Sequence, residues 1–341
     1  MEEDLIRKKA QLILGGDVMI PKGYKMPCRI SRSTAGPGAG KRSVVFSFNG
    51  MRVKKGISQS SGDFELRDDN GSLSLTKNGQ PFIDNVKIEP VVFHSPEQAF
   101  FNLDQRCMYN CKFCTSPLLK GDATKSLTNE KILDMIRSAM KEHHVVSVAL
   151  TSGVVGSVSE TVDRMASCVK AVRKEFPDVP IGVEPYVDSE EQIKKLKAAG
   201  ANEIKINLET PRKDIFEKLC PGLSYLTIVE MIRSSVKIFG RGKVTTNLIF
   251  GMGETDKEVA DCMMTMATYG CVPGLRAVRI NDINRGNLNS VGIFYDVTEE
   301  RMIYLAHLQK RILEEHHLTT NSFRTMCFEC RCCDLVPFRD F

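Results

Sequence analysis

The chain has 341 residues, 42% hydrophobic and 26% charged, which is the composition of a folded globular protein with room for one large domain and an extension. A net charge of +5 is modest for this length and by itself points to no nucleic-acid partner. No apolar run approaches the roughly 20 residues a bilayer span needs, and Met1-Glu2-Glu3-Asp4 is acidic where a signal peptide is basic, so a cytoplasmic protein with no membrane attachment is expected.

Residues 4–14 carry an amphipathic helical pattern stopped by Gly15-Gly16. Short strand-like runs follow at Val44–Phe48, Met51–Val53, Phe64–Leu66, Leu73–Leu75 and Val86–Ile88. Asn49-Gly50, Asn70-Gly71 and Asn78-Gly79 supply hairpin signals between them. Residues 1–94 are thus expected to form a β-rich cap. The stretch Ala35-Gly36-Pro37-Gly38-Ala39-Gly40-Lys41-Arg42 departs from a phosphate loop at its first and last positions and precedes a strand, so it reads as a turn.

From Gln98 the pattern changes to alternating strands and helices. Strands are expected at 99–103, 145–150, 181–183, 203–208, 244–250 and 277–280. Helices are expected around 132–140, over 158–174, from Asp188 to Gly200, over 226–239 and over 255–269. Asp188/Glu191 and Thr255/Glu258 are spaced as capping boxes. Repeating βαβ units of this size give a parallel sheet, and six of them suit an incomplete (β/α)6 barrel over residues 95–320. Active residues then belong at the C-terminal strand ends.

The most informative stretch is Cys107-Met108-Tyr109-Asn110-Cys111-Lys112-Phe113-Cys114. Three thiols this close can bind three irons of a 4Fe-4S cube and leave the fourth without a protein ligand. A structural zinc site, the alternative, normally wants four closed ligands. Twelve cysteines in a chain expected to stay in a reducing compartment favour metal or redox use over disulfides.

This C-x3-C-x2-C loop, with the aromatic Phe113 before its third cysteine, resembles the radical S-adenosylmethionine (radical SAM) superfamily. The resemblance implies an open-iron 4Fe-4S cluster on Cys107, Cys111 and Cys114, S-adenosylmethionine bound to that iron, and reductive cleavage to a 5′-deoxyadenosyl radical. It also implies cofactor contacts at strand ends: Thr151-Ser152-Gly153, Asn207 and Glu209, then Ile249 and Gly251 of the run Asn247-Leu248-Ile249-Phe250-Gly251-Met252-Gly253. Arg279 is a further candidate for a carboxylate or the cluster. The run Ile206-Asn207-Leu208-Glu209-Thr210 followed by Cys220-Pro221-Gly222 resembles the biotin synthase and lipoyl synthase branch. The Ala35-Gly36-Pro37 segment ahead of a β-rich cap resembles archaeal two-component lipoyl synthases.

Residues 321–341 form a second cysteine-rich segment, Cys327-Phe328-Glu329-Cys330-Arg331-Cys332-Cys333. Four thiols at this density can wrap an auxiliary 4Fe-4S cluster or a closed zinc site, with Cys28 as a possible substitute ligand. A helix over 300–317 is expected to carry this tail across the barrel mouth. The resemblance then implies sulfur insertion into an unactivated C–H bond, such as that of a protein-bound octanoyl group. It also implies a small electron-donor protein, an acyl carrier protein substrate and a homologous second subunit as partners. The alternatives are a radical mutase or C-methyltransferase using the tail cluster structurally or for electron transfer, and a non-catalytic cluster carrier.

Overall fold

A computed structural model of the chain describes residues 2–32, 42–118, 126–293 and 297–341. The turn expected at 35–41, and with it the Ala35-Gly36-Pro37 segment, lies outside the described residues.

Helix α1 (Glu2–Leu14) opens the chain and packs against residues 51–58 and 299–315. Strands β1 (Val18–Met19), β2 (Ser31–Arg32), β3 (Arg42–Phe48), β4 (Met51–Ser58), β5 (Phe64–Asp69), β6 (Ser72–Lys77), β7 (Gln80–Ile83) and β8 (Lys87–Glu89) share one sheet. Its order is β2-β3-β4-β1-β5-β6-β7, with β8 following β2 along the edge of β3 that faces away from β4. The three Asn-Gly pairs each place both residues at positive φ, 44° and 80°, 51° and 91°, 52° and 77°. Type I′ turns need that conformation, and it matches the strand twist, so these dipeptides fix the β3–β4, β5–β6 and β6–β7 hairpins. Strand β1 was not expected: it slots parallel between β4 and β5 and joins the two hairpin groups.

The second sheet holds β9 (Gln98–Asn102), β10 (Ser147–Thr151), β11 (Ile181–Glu184), β12 (Glu203–Lys205), β13 (Val244–Phe250) and β14 (Val272–Ala277), parallel and in sequence order. Helices α2 (Asn129–Glu142), α3 (Val158–Glu175), α4 (Glu190–Ala199), α5 (Lys213–Leu219), α6 (Tyr225–Phe239) and α7 (Asp256–Tyr269) fill the crossovers. This is the expected part-barrel. Thr255 and Glu258 make a reciprocal capping box at α7. At α4 the N-cap is Ser189, not Asp188, and the polar bracket runs instead between Asp188 and Gln192 at 2.7 and 2.9 Å.

The sixth strand lies ahead of the expected 277–280, because Pro273-Gly274 reads as a strand breaker in sequence. On the sheet edge, where β14 pairs only with β13, a missing N–H is tolerated. Helices α8 (Arg285–Ser290), α9 (Glu299–Glu315) and α10 (Met326–Cys330) complete the chain.

The tail does not cross the mouth. It enters the part-barrel from the opposite end, at the strand starts. Gln98, first residue of β9, brackets the Met326 backbone with both side-chain atoms, at 2.7 Å to its N–H and 3.0 Å to its carbonyl. Glu203, first residue of β12 and only 1% exposed, accepts from the Arg324 and Thr325 N–H groups and from the Thr325 hydroxyl at 2.6 Å. Gly182 makes room for this: a Cβ there would sit 2.2 Å from the Thr325 hydroxyl oxygen. A buried ion pair, Lys9 to Asp340 at 2.6 Å, ties the tail to α1.

Candidate functional site at the part-barrel interior

Strand β9 runs straight into the cysteine loop, and neighbouring elements pin that loop. Gly153 N–H donates to the Asp104 carbonyl at 2.7 Å, Met108 N–H to Val154 and Lys112 N–H to Leu219. The Val154 N–H lies 3.4 Å from the Cys107 sulfur. Gly153 is required by this approach, since a Cβ would meet the Arg106 carbonyl oxygen at 2.2 Å. From the other side the fully buried Asn284 bridges the Phe113 and Arg279 carbonyls, 3.0 Å from each.

A cavity of about 270 Å3 runs from this loop down the inside of the sheet to the tail. Cys107, Phe113 and Cys114 line it near the C-terminal strand ends, with Thr151, Ser152, Gly153, Asn207, Glu209 and Ile249. Cys327, Cys330, Cys332, Cys333 and Arg279 line it near the tail. Cys111 and Gly251 stand outside this lining. Cys111 contacts the buried Cys220 thiol, and Gly251, at φ 95°, donates its N–H to Glu254 at 2.6 Å. Cys28 does not line the cavity; its thiol is 3.7 Å from the Glu89 carbonyl in the N-terminal sheet.

The loop thiols fit a three-cysteine cluster site. All three are free, partly exposed and carried on one loop at a strand end, where thiolates can reach a shared cluster. Burial pushes the Cys114 thiol up to about 11. Among the described residues, no three His, Cys, Asp or Glu side chains converge on one point as ligands of a single metal ion. The cavity also holds buried polar atoms with no hydrogen-bond partner among the described residues, Asn207 Oδ1, His94 Nδ1 and Ser95 Oγ, as befits a wall that faces a polar ligand.

Strand β12 and its continuation supply a ladder the sequence reading only half recognised. Glu203, Lys205, Asn207 and Glu209 alternate inward, while Ile204, Ile206 and Leu208 are buried in the apolar core. Lys205, 2% exposed, lies 3.1 Å from Glu184 and 3.3 Å from the Cys327 sulfur. Asn207 donates to Glu184 at 2.7 Å. Arg276 of β14 forks onto Asp334, at 3.1 and 2.8 Å, and its Nη2 is 3.5 Å from the same Cys327 sulfur. Burial works against the Lys205 and Arg276 charges, but the sulfur and carboxylate neighbours outweigh it and hold both above their ordinary pKa. In the tail, a hydrogen bond from Cys332 draws the Cys330 thiol down, and burial pushes Cys332 up. Arg279 donates to the Cys333 carbonyl at 3.3 Å, so it serves the tail end of the cavity.

Glu209 sits at φ 69°, held between the Asn247 carbonyl at 2.9 Å and the Ile249 N–H at 2.7 Å. A non-glycine residue in this left-handed region is strained, and such strain concentrates where a side chain must be aimed. Burial raises its carboxyl to about 7, with Lys205 opposing and Glu184 adding to the rise. A carboxyl raised on folding contributes stability below the unfolded value of about 4.5, which is lost as pH climbs through 7. The effect is on the order of 3 kcal/mol. Glu209→Gln is therefore expected to raise the cofactor-free protein's Tm at pH 8 and to leave it nearly unchanged at pH 5. Equal effects at both pH values would refute the assignment.

Residues 101–266 match the model of the Radical SAM superfamily. A biotin synthase of Aliarcobacter butzleri is 26% identical over 164 residues, 48% of this chain and 57% of that protein. A lipoyl synthase of Leptospira biflexa is 25% identical over 169 residues, 48% of this chain and 52% of that one. The chain spans about half the length of the curated relatives it matches. Among solved structures, methylornithine synthase superposes with a TM-score of 0.52 at 20% identity, over 63% of this chain and 62% of that one. The [FeFe]-hydrogenase maturase HydG gives 0.55 at 16% identity, over 66% of this chain and 52% of that one. At those identities the superpositions show a shared fold. Over residues 101–266 the chain is thus similar to the Radical SAM superfamily, and the curated proteins it resembles include a biotin synthase and a lipoyl synthase.

Proposed function

We propose that the chain is a radical SAM enzyme that inserts sulfur into an unactivated C–H bond, with a protein-bound octanoyl group as the leading substrate. One observation carries this reading: two separate cysteine groups line opposite ends of a single interior cavity. A substrate carbon lodged between them is within reach of both. A mutase or methyltransferase would use the second cysteine group only structurally or for electron transfer, and a cluster carrier has no need of the cavity.

When bound, an open-iron cluster with S-adenosylmethionine supplies a hydrogen-abstracting radical, and a sulfide-bearing tail cluster supplies sulfur. The chain's own residues do the positioning. Cys107, Cys111 and Cys114 hold the first cluster, and Thr151, Ser152 and the close-packed Gly153 shape the wall beside it. Glu209 presents a carboxyl suited to hydroxyl groups, and Ile249 offers an apolar face. Phe100, Ala149 and Met326 form a small apolar cluster of their own; Phe100 and Met326 face the cavity, where an aliphatic chain is favoured over water. Cys327, Cys330, Cys332 and Cys333 are the ligand candidates at the tail. A low-potential electron-donor protein, an acylated carrier protein and a homologous second subunit are the proposed partners, and the cytoplasm the proposed compartment.

The test is a product assay with protein reconstituted without oxygen, S-adenosylmethionine, a reductant and an octanoylated carrier domain. Thiolated octanoyl product, found by mass spectrometry together with 5′-deoxyadenosine, is expected. Cofactor cleavage giving a methylated or rearranged product, with zinc in the tail, would replace this reading by the mutase or methyltransferase one.

A further inference from the structure

We infer that Lys205 and Arg276 set the reduction potential of the site held by the tail cysteines, with Glu184 as the opposing charge. The inference rests on the tail site being an iron–sulfur cluster. Two cations, Lys205 buried and Arg276 partly buried, converge on one ligand atom, the Cys327 sulfur, Lys205 Nζ at 3.3 Å and Arg276 Nη2 at 3.5 Å. Both come from strands rather than loops, so their charges are fixed in place. Reduction adds an electron to the cluster, and a fixed cation beside a ligand sulfur favours the more negative state and so raises the potential. In a water-poor interior this influence is far less screened than at the surface.

The two cations are not equally compensated. Arg276 is forked onto Asp334, which spends much of its charge locally. Lys205 shares its charge between Cys327 and the single Glu184 oxygen at 3.1 Å, and Asn207 donates to that same oxygen. Glu184 is thus partly neutralised by its own neighbours, and Lys205 keeps more of its charge for the sulfur. Lys54, buried on β4, stands near Cys330, Cys332 and Cys333 and adds positive charge from the N-terminal sheet. Its backbone N–H also holds the Cys332 carbonyl at 2.9 Å.

The test uses the full chain with Cys107, Cys111 and Cys114 replaced by alanine and reconstituted with iron and sulfide, so that only the tail cluster remains. A redox titration followed by visible absorption and electron paramagnetic resonance gives its midpoint. Lys205→Gln in this parent is expected to shift the midpoint down, Glu184→Gln to shift it up, and Lys205→Arg to stay near the parent. Opposite shifts from two residues in contact are what a merely structural role does not produce. Unmoved midpoints at full iron content, or shifts of the same sign, overturn the inference. If Lys205→Gln fails to hold the cluster, Glu184→Gln decides alone: the absence of an upward shift overturns it. A parent that binds zinc or no iron overturns the tail-cluster reading itself, and the inference with it.

Discussion

Replacing Cys107, Cys111 and Cys114 together by alanine is expected to abolish reductive cleavage of S-adenosylmethionine and to lower iron from about eight to about four per chain, as loss of one of two cubane clusters requires. The fold should survive this, because the loop is held by backbone contacts to Val154, Leu219 and Asn284 that do not involve the thiols. Circular dichroism and Tm near the wild-type values would establish that the loss is local. Iron and acid-labile sulfide counts beside 5′-deoxyadenosine measured by chromatography make the check. Cleavage that persists in the triple variant would sink the assignment of this loop.

Removing the other end of the cavity has a different signature. Cys327→Ala with Cys330→Ala is expected to retain 5′-deoxyadenosine formation, slowed and uncoupled from substrate, while thiolated product falls below detection. The first cluster does not depend on these residues: the tail is seated by Gln98, Glu203 and Lys9, and the loop by its own neighbours. The seat should also hold in the variant, since none of those contacts uses a tail thiol. Full product turnover in the double variant would make the tail structural. Complete loss of cofactor cleavage would mean instead that the two ends of the cavity are not independent.

What could be read from the chain itself depended on how local each cause is. The Asn-Gly turns were legible because positive φ at two successive residues is a property of the dipeptide. The loop cysteines stood out in sequence because three thiols fall within eight residues. Strand β14 was not, since Pro273-Gly274 is tolerable only on a sheet edge, and edge position is a property of the assembled sheet. The direction of the tail depended on Gln98 and Glu203, more than 120 residues away from their partners in sequence. Lys205 was overlooked although a signal existed: polar residues at 203, 205, 207 and 209 between Ile204, Ile206 and Leu208 mark a strand with a polar inward face.

An open run of six parallel strands leaves β9 and β14 as sheet edges, with their outer peptide groups available to any passing chain. The tail stands between those two margins, bracketed by Gln98 on β9 and anchored through Asp334 to Arg276 on β14. Oxidation by air that joins two of the thiols of Cys330, Cys332 and Cys333 in a disulfide would distort that plug and unseal the molecule. Exposure to oxygen should therefore register as turbidity as well as lost colour.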